Sequence, residues 1–139
     1  MKIEYNAIDV FQKDLKRLLR KFRTLEEDLE IAKRNAIELY HLKDINNQSV
    51  FPIPGLCTEK IQIYKIKKFA CKALRGKGCR SGIRVVYAYF SNQTKVDFIE
   101  IYFKGEKTNE DRERIKEYLK NFWLARRPTD PHPDQKTLC

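Results

Sequence analysis

Up to about Leu42 the apolar residues of this chain recur every third or fourth position; from Lys60 to Lys104 they recur every second one. The first spacing lays one apolar stripe along helices, and the second gives strands with distinct faces. The order is therefore helices first, then sheet. At 139 residues the chain has the length of one domain with a real core.

Phe11, Leu15, Leu18 and Phe22 form a single stripe, opposite Lys13, Lys16, Arg17, Arg20 and Lys21. Asp9 with Gln12 reads as a capping box at the start of this helix, and Thr24 with Glu27 as one at the start of the next. Leu25, Leu29, Ala32, Ala36 and Leu39 carry the second stripe to about Leu42. Two helices so closely spaced predict an antiparallel hairpin, preceded by a short strand over Lys2 to Asn6. Asn46 to Ser49 and Pro52 to Gly55 read as loop.

Lys60 to Ala73 reads as a strand that a bulge around Lys67-Lys68 can interrupt. Gly76, Gly78 and Gly82 mark a flexible basic turn. Ile83 to Phe90 and Lys95 to Lys104 read as two more strands, joined by a turn over Ser91 to Thr94. Thr108 or Asn109 is expected to cap a last helix, with Glu110 and Asp111 in its first turn and Ile115, Leu119 and Phe122 facing inward. The expectation is an α+β fold: a short N-terminal strand, an antiparallel helix hairpin, a three-stranded antiparallel sheet completing a four-stranded one, and a C-terminal helix. Residues 1–122 would form the domain and 123–139 a loosely ordered tail.

The charge is as uneven as the periodicity. Lys60 to Val96 holds ten Lys or Arg and no acid, while the rest of the chain balances at 19 of each sign. Basic residues so crowded point to a polyanion such as a phosphate backbone. Lys65, Lys68, Lys72, Arg75, Lys77 and Arg80 are the candidates for that contact. No apolar run approaches the roughly 18 residues of a membrane span, and the first residues carry no signal-like core, so a cytoplasmic protein is expected. Cys57, Cys71, Cys79 and Cys139 make no CxxC pair, and His41 and His132 lie far from them at ligand spacing. Neither metal nor cofactor is expected.

An Arg inside an otherwise apolar strand needs a reason, and Arg84 is that residue. In strand alternation Asp97, Ile99, Ile101 and Phe103 share one face and Phe98, Glu100, Tyr102 and Lys104 the other. If Arg84 faces outward, it lies near Tyr102 or Lys104. Such groups suit RNA cleavage by the internal 2′-hydroxyl: Arg84 for the developing charge, Glu100 or a Lys as base, Tyr102 or a Lys as acid. Each group also has a plainer reading, the lysines as solvated strand residues, Tyr102 as a half-buried aromatic and Glu100 as an exposed ion-pair partner.

Gly82-Ile83-Arg84-Val85-Val86-Tyr87, with Phe11-Gln12-Lys13-Asp14-Leu15-Lys16-Arg17-Leu18 before it and Tyr102-Phe103-Lys104-Gly105-Glu106-Lys107 after it, resembles the RelE/ParE superfamily of type II toxins over residues 1–122. The resemblance implies a RelE-like endoribonuclease that cuts mRNA on the ribosome, inhibits translation and is neutralised by a cognate antitoxin. By position it implies catalytic roles for Lys65, Lys67 or Lys68, then Arg84, then Tyr102 and Lys104. No His lies near the last strand, which excludes a His-dependent scheme. The Asn46 to Gly55 loop, the Arg75 to Arg80 turn and the tail lengthen the chain beyond a typical member. Two alternatives stay open: a ParE-type toxin that binds gyrase without cleaving anything, and a catalytically inactive RNA-binding homologue.

Overall fold

In the computed structural model the described residues are 2–45, 48–56, 58, 60–74 and 81–126. Cys57, Cys79, Cys139, Arg75, Lys77, Arg80, Gly76, Gly78, His132 and the tail beyond 126 lie outside them, as does the Phe122 side chain. The elements run β1 (Glu4–Ala7), α1 (Asp9–Leu19), α2 (Leu25–Ala32), a π-helical turn (Lys33–Glu38), α3 (Leu39–Leu42), β2 (Val50–Pro52), β3 (Ile61–Ile66), β4 (Ile83–Phe90), β5 (Lys95–Phe103) and α4 (Arg112–Arg126). The α+β class is as expected, and the sheet has five strands rather than four, in the order β1-β5-β4-β3-β2. The additional strand is β2, in the stretch between the two segments read as loop. Proline halts the helix there but is tolerated on a sheet edge, and Val50, 2 % exposed, anchors the strand to the core.

β1 runs parallel to β5, and the other pairings are antiparallel. The strand expected over Lys60 to Ala73 ends at Ile66, after which Lys67 donates its amide to the Ser49 carbonyl at 2.8 Å. Neither expected capping box forms. Ile8 precedes α1 with no side-chain cap, and Gln12 Nε2 donates instead to the Ala7 carbonyl at 2.9 Å. Thr24 donates to Asp28 at 2.7 Å and accepts from the Ala73 amide at 3.0 Å, so it ties α2 to the segment after β3. At α4 the cap is Asp111 rather than Thr108 or Asn109, its carboxylate accepting from the Arg114 amide at 3.1 Å.

Both sheet faces are covered. Phe11, Leu18, Phe22, Leu25, Leu29 and Ile37 from the helix hairpin bury Tyr64, Ile66, Val85, Tyr87, Phe98 and Ile101. On the other face Ile115, Tyr118 and Leu119 of α4 lie against Val86, Ala88, Ile99 and Tyr102. This is why polarity cannot pick the buried side of β4: neither side is free. A bulge corrects the alternation expected for β5. Val86 pairs with Glu100 but Tyr87 with Phe98, leaving Ile99 extra. Both residues of a bulge turn to the same side, so Phe98 joins the hairpin face with Ile101 and Phe103, and Ile99 joins Glu100 and Tyr102 beneath α4.

Beyond the π turn, which adds a wider turn to the helix, His41 lands on a cluster of sheet tyrosines. Its ring stacks on Tyr89 with centroids 3.9 Å apart, and Nε2 lies 2.8 Å from the Tyr87 hydroxyl. Burial lowers the His41 pKa to about 4 from the ordinary 6.5. Above pH 6.5 the ring is neutral in folded and unfolded chains alike and costs nothing. Between 6.5 and 4 only the unfolded chain takes the proton, so stability falls as pH falls. Allowing for a partly exposed ring, the loss is about 2 kcal/mol. Urea unfolding at pH 7.5 and 4.5 should show that drop, and His41→Phe should remove it; equal drops in both proteins would acquit His41.

Among the described residues no helix is long and apolar enough to cross a membrane, and no cluster of His, Cys, Asp and Glu could hold a metal ion. Cys71 is a buried free thiol.

Candidate nucleic-acid cleavage site

Two neighbouring rows of side chains cross the sheet on the α4 face. Register aligns Phe51, Lys65, Val86 and Glu100 across β2, β3, β4 and β5. In the next row Arg84 pairs with Tyr102, and the Arg84 Nη1 donates to the Lys67 carbonyl at 3.0 Å and to the Ile83 carbonyl at 3.4 Å. Gly82 lets β4 begin there: its φ of +86° suits glycine alone, and a Cβ would stand 3.2 Å from the Phe103 ring.

The segment between β5 and α4 closes one end of these rows. Glu100, 1 % exposed, accepts from the Asp111 amide at 2.8 Å and from the Lys107 ammonium. Both carboxylate oxygens are engaged, so the base expected there is not free to take a proton. Lys107 also lies 5.7 Å from the Tyr102 ring centroid. Glu110 Oε1 accepts from Lys65 Nζ at 2.5 Å, and its Oε2 lies 3.6 Å from Arg112 Nη1. Burial works to raise the Glu110 pKa, but the Lys65 hydrogen bond, its own amide and the Lys65 and Arg112 charges bring it below the usual carboxylate range. Tyr102 is pushed up to about 12, by burial first and then by Glu110 and Glu100, with Arg84 pulling the other way.

The sequence-selected residues therefore divide. Lys65, Lys67, Arg84, Glu100 and Tyr102 come together. Lys104 is exposed just past β5, its amide donating to the Gly82 carbonyl at 2.8 Å. Lys68 is exposed beyond β3. Lys72 turns to the helix hairpin, its ammonium 3.4 Å from Glu27. Arg75, Lys77 and Arg80 lie outside the described residues. Glu110, Lys107 and Arg112 belong to the cluster but were not singled out as site residues. Their sequence signal was weak, because Glu110 reads equally well as a first-turn helix acid.

Adjoining cross-strand rows carrying Arg, Tyr and Lys can stabilise a phosphorane and supply a proton. No family model and no curated protein sequence matches the chain. Solved structures similar to it include two of RelE proteins. One is the archaeal RelE–RelB complex from Pyrococcus horikoshii OT3, at 15% identity and a TM-score of 0.45, covering 76% of this chain and 98% of that one. The other is a mutant of the E. coli toxin RelE in the free state, at 20% identity and a TM-score of 0.46, covering 87% and 98%. At these values neither likeness bears on activity, which has to be argued from this chain's own residues.

Proposed function

We propose that the chain is a RelE-like toxin: an endoribonuclease that cuts mRNA on the ribosome, halts translation in the cytoplasm and is held in check by a cognate antitoxin. The observation carrying this reading is the direct cross-strand pairing of Arg84 with Tyr102 beside Lys65 and Lys67. Two of the three segments that carry the resemblance, those beginning at Gly82 and at Tyr102, adjoin at that pair.

In the proposed reaction the 2′-oxygen bonds to phosphorus and the bond to the 5′-oxygen breaks, leaving a 2′,3′-cyclic phosphate and a free 5′-hydroxyl. Arg84 and Lys67 neutralise the phosphorane. Tyr102, protonated at neutral pH, gives its proton to the leaving oxygen. Glu110 replaces Glu100 as the acceptor of the 2′-hydroxyl proton, because it lines the cleft, whereas Glu100 is buried against the Asp111 amide. Its low pKa makes Glu110 a weak base, so charge stabilisation carries most of the rate.

Primer extension on message from a translating extract tests the reading, with the protein added substoichiometrically. Discrete cuts on translated message are expected. Intact message with translation unimpaired would sink the nuclease and leave gyrase binding or simple RNA binding.

A further inference from the structure

Near the Arg84–Tyr102 pair, whose Arg84 donates to the Lys67 carbonyl, lies a cleft of about 160 Å³ lined by Phe51 and Pro54, by Lys65, Lys67 and Arg112, and by Glu110. We propose that this cleft seats a nucleotide adjoining the scissile phosphate, Phe51 stacking on its base while Lys67 and Arg112 hold its phosphate. The inference rests on the RNA-cleavage reading above.

Phe51 is the observation that carries it. Its neighbour Val50 is a core residue, yet Phe51 belongs to neither hydrophobic cluster and is only half-buried. A large aromatic on a sheet normally contributes its area to the core; this one sits in a row with Lys65 and Glu100 instead. The Lys67 ammonium lies 4.6 Å from its ring centroid. A ring beside a cation is the pairing that single-stranded nucleic acid engages, with the base on the ring and the phosphate on the charge.

Charge and shape agree. Three cations face one carboxylate, so the cleft keeps a net positive charge after Glu110 has bound Lys65. It is too small to enclose a nucleotide, since enclosing pockets start near ~300 Å³, but it has room for a phosphate with the base across its mouth. The wall is pinned beforehand: Ile53 donates its amide to the Ile63 carbonyl at 2.9 Å, and Arg112 Nη2 donates to the Pro54 carbonyl at 3.2 Å. A preset wall loses little freedom when a ligand arrives.

The test uses an uncleavable 2′-O-methyl RNA pentamer with 2-aminopurine at its centre, whose emission falls when the base stacks on an aromatic ring. The wild-type protein should quench it. Phe51→Leu should abolish the quench and weaken binding roughly 5- to 100-fold, while Lys72→Ala, on the helix-hairpin side, keeps the quench. Lys67→Ala should reduce the slope of log affinity against log salt by about 0.7. Quenching that survives in Phe51→Leu, or is missing in the wild type, overturns the subsite. Cleavage of translated message, followed in parallel, decides separately whether the nuclease reading falls with it.

Discussion

Replacing Arg84 with alanine is expected to slow cleavage of translated message about 10²- to 10³-fold and to leave the protein folded. The guanidinium is a permanent cation beside Tyr102, where phosphorane charge would develop. Its structural duties are small. It donates to the carbonyls of Lys67 and Ile83, and Lys67 is exposed, so water can replace the bond. Single-turnover primer extension gives the rate, and circular dichroism with thermal melting gives the fold. A folded Arg84→Ala protein cutting at the wild-type rate would remove Arg84 from the site.

Glu110→Gln should separate binding from chemistry. Removing the negative charge from a cleft with Lys65, Lys67 and Arg112 should tighten RNA binding and steepen its salt slope by about 0.7. Losing the proton acceptor should slow the chemical step about 10²-fold. The pH profile gives a second readout. Because Glu110 titrates below the usual carboxylate range, wild-type cleavage should persist into mildly acidic solution and fail only as pH drops through that low value. A Glu110→Gln variant that both binds more tightly and cuts faster would recast Glu110 as a plug on Lys65 rather than a base.

Much of the architecture could be read from spacing. The strand Ile83–Phe90 and the stripe of Phe11, Leu18 and Phe22 depend on local period alone, and both stand as expected. The misreadings had non-local causes. β2 exists because β3 offers it a free edge, which no property of Val50-Phe51-Pro52 announces. The bulge at Ile99 inverts Phe98 and Ile99 while leaving Glu100, Ile101 and Tyr102 on their expected sides. Arg84 was legible because a charge inside an apolar run is conspicuous. Glu100 was misjudged for the same reason: its charge implied exposure, but Lys107 and the Asp111 amide bury it fully satisfied. Lys72 belonged to the basic stretch, yet position in a charge run does not say which way a side chain turns.

The parallel pairing of β1 with β5 has a consequence for how the chain acquires its shape. Arg84 and Tyr102 meet across a hairpin, a short-range contact that closes quickly. Glu4 instead finds Lys95, and Ile8 donates its amide to the Phe98 carbonyl, only when nearly the whole sheet has been made. On a ribosome the first strand emerges early and waits, its backbone unpaired, until the last one follows. The arginine–tyrosine pair can thus assemble before β1 seals the sheet edge.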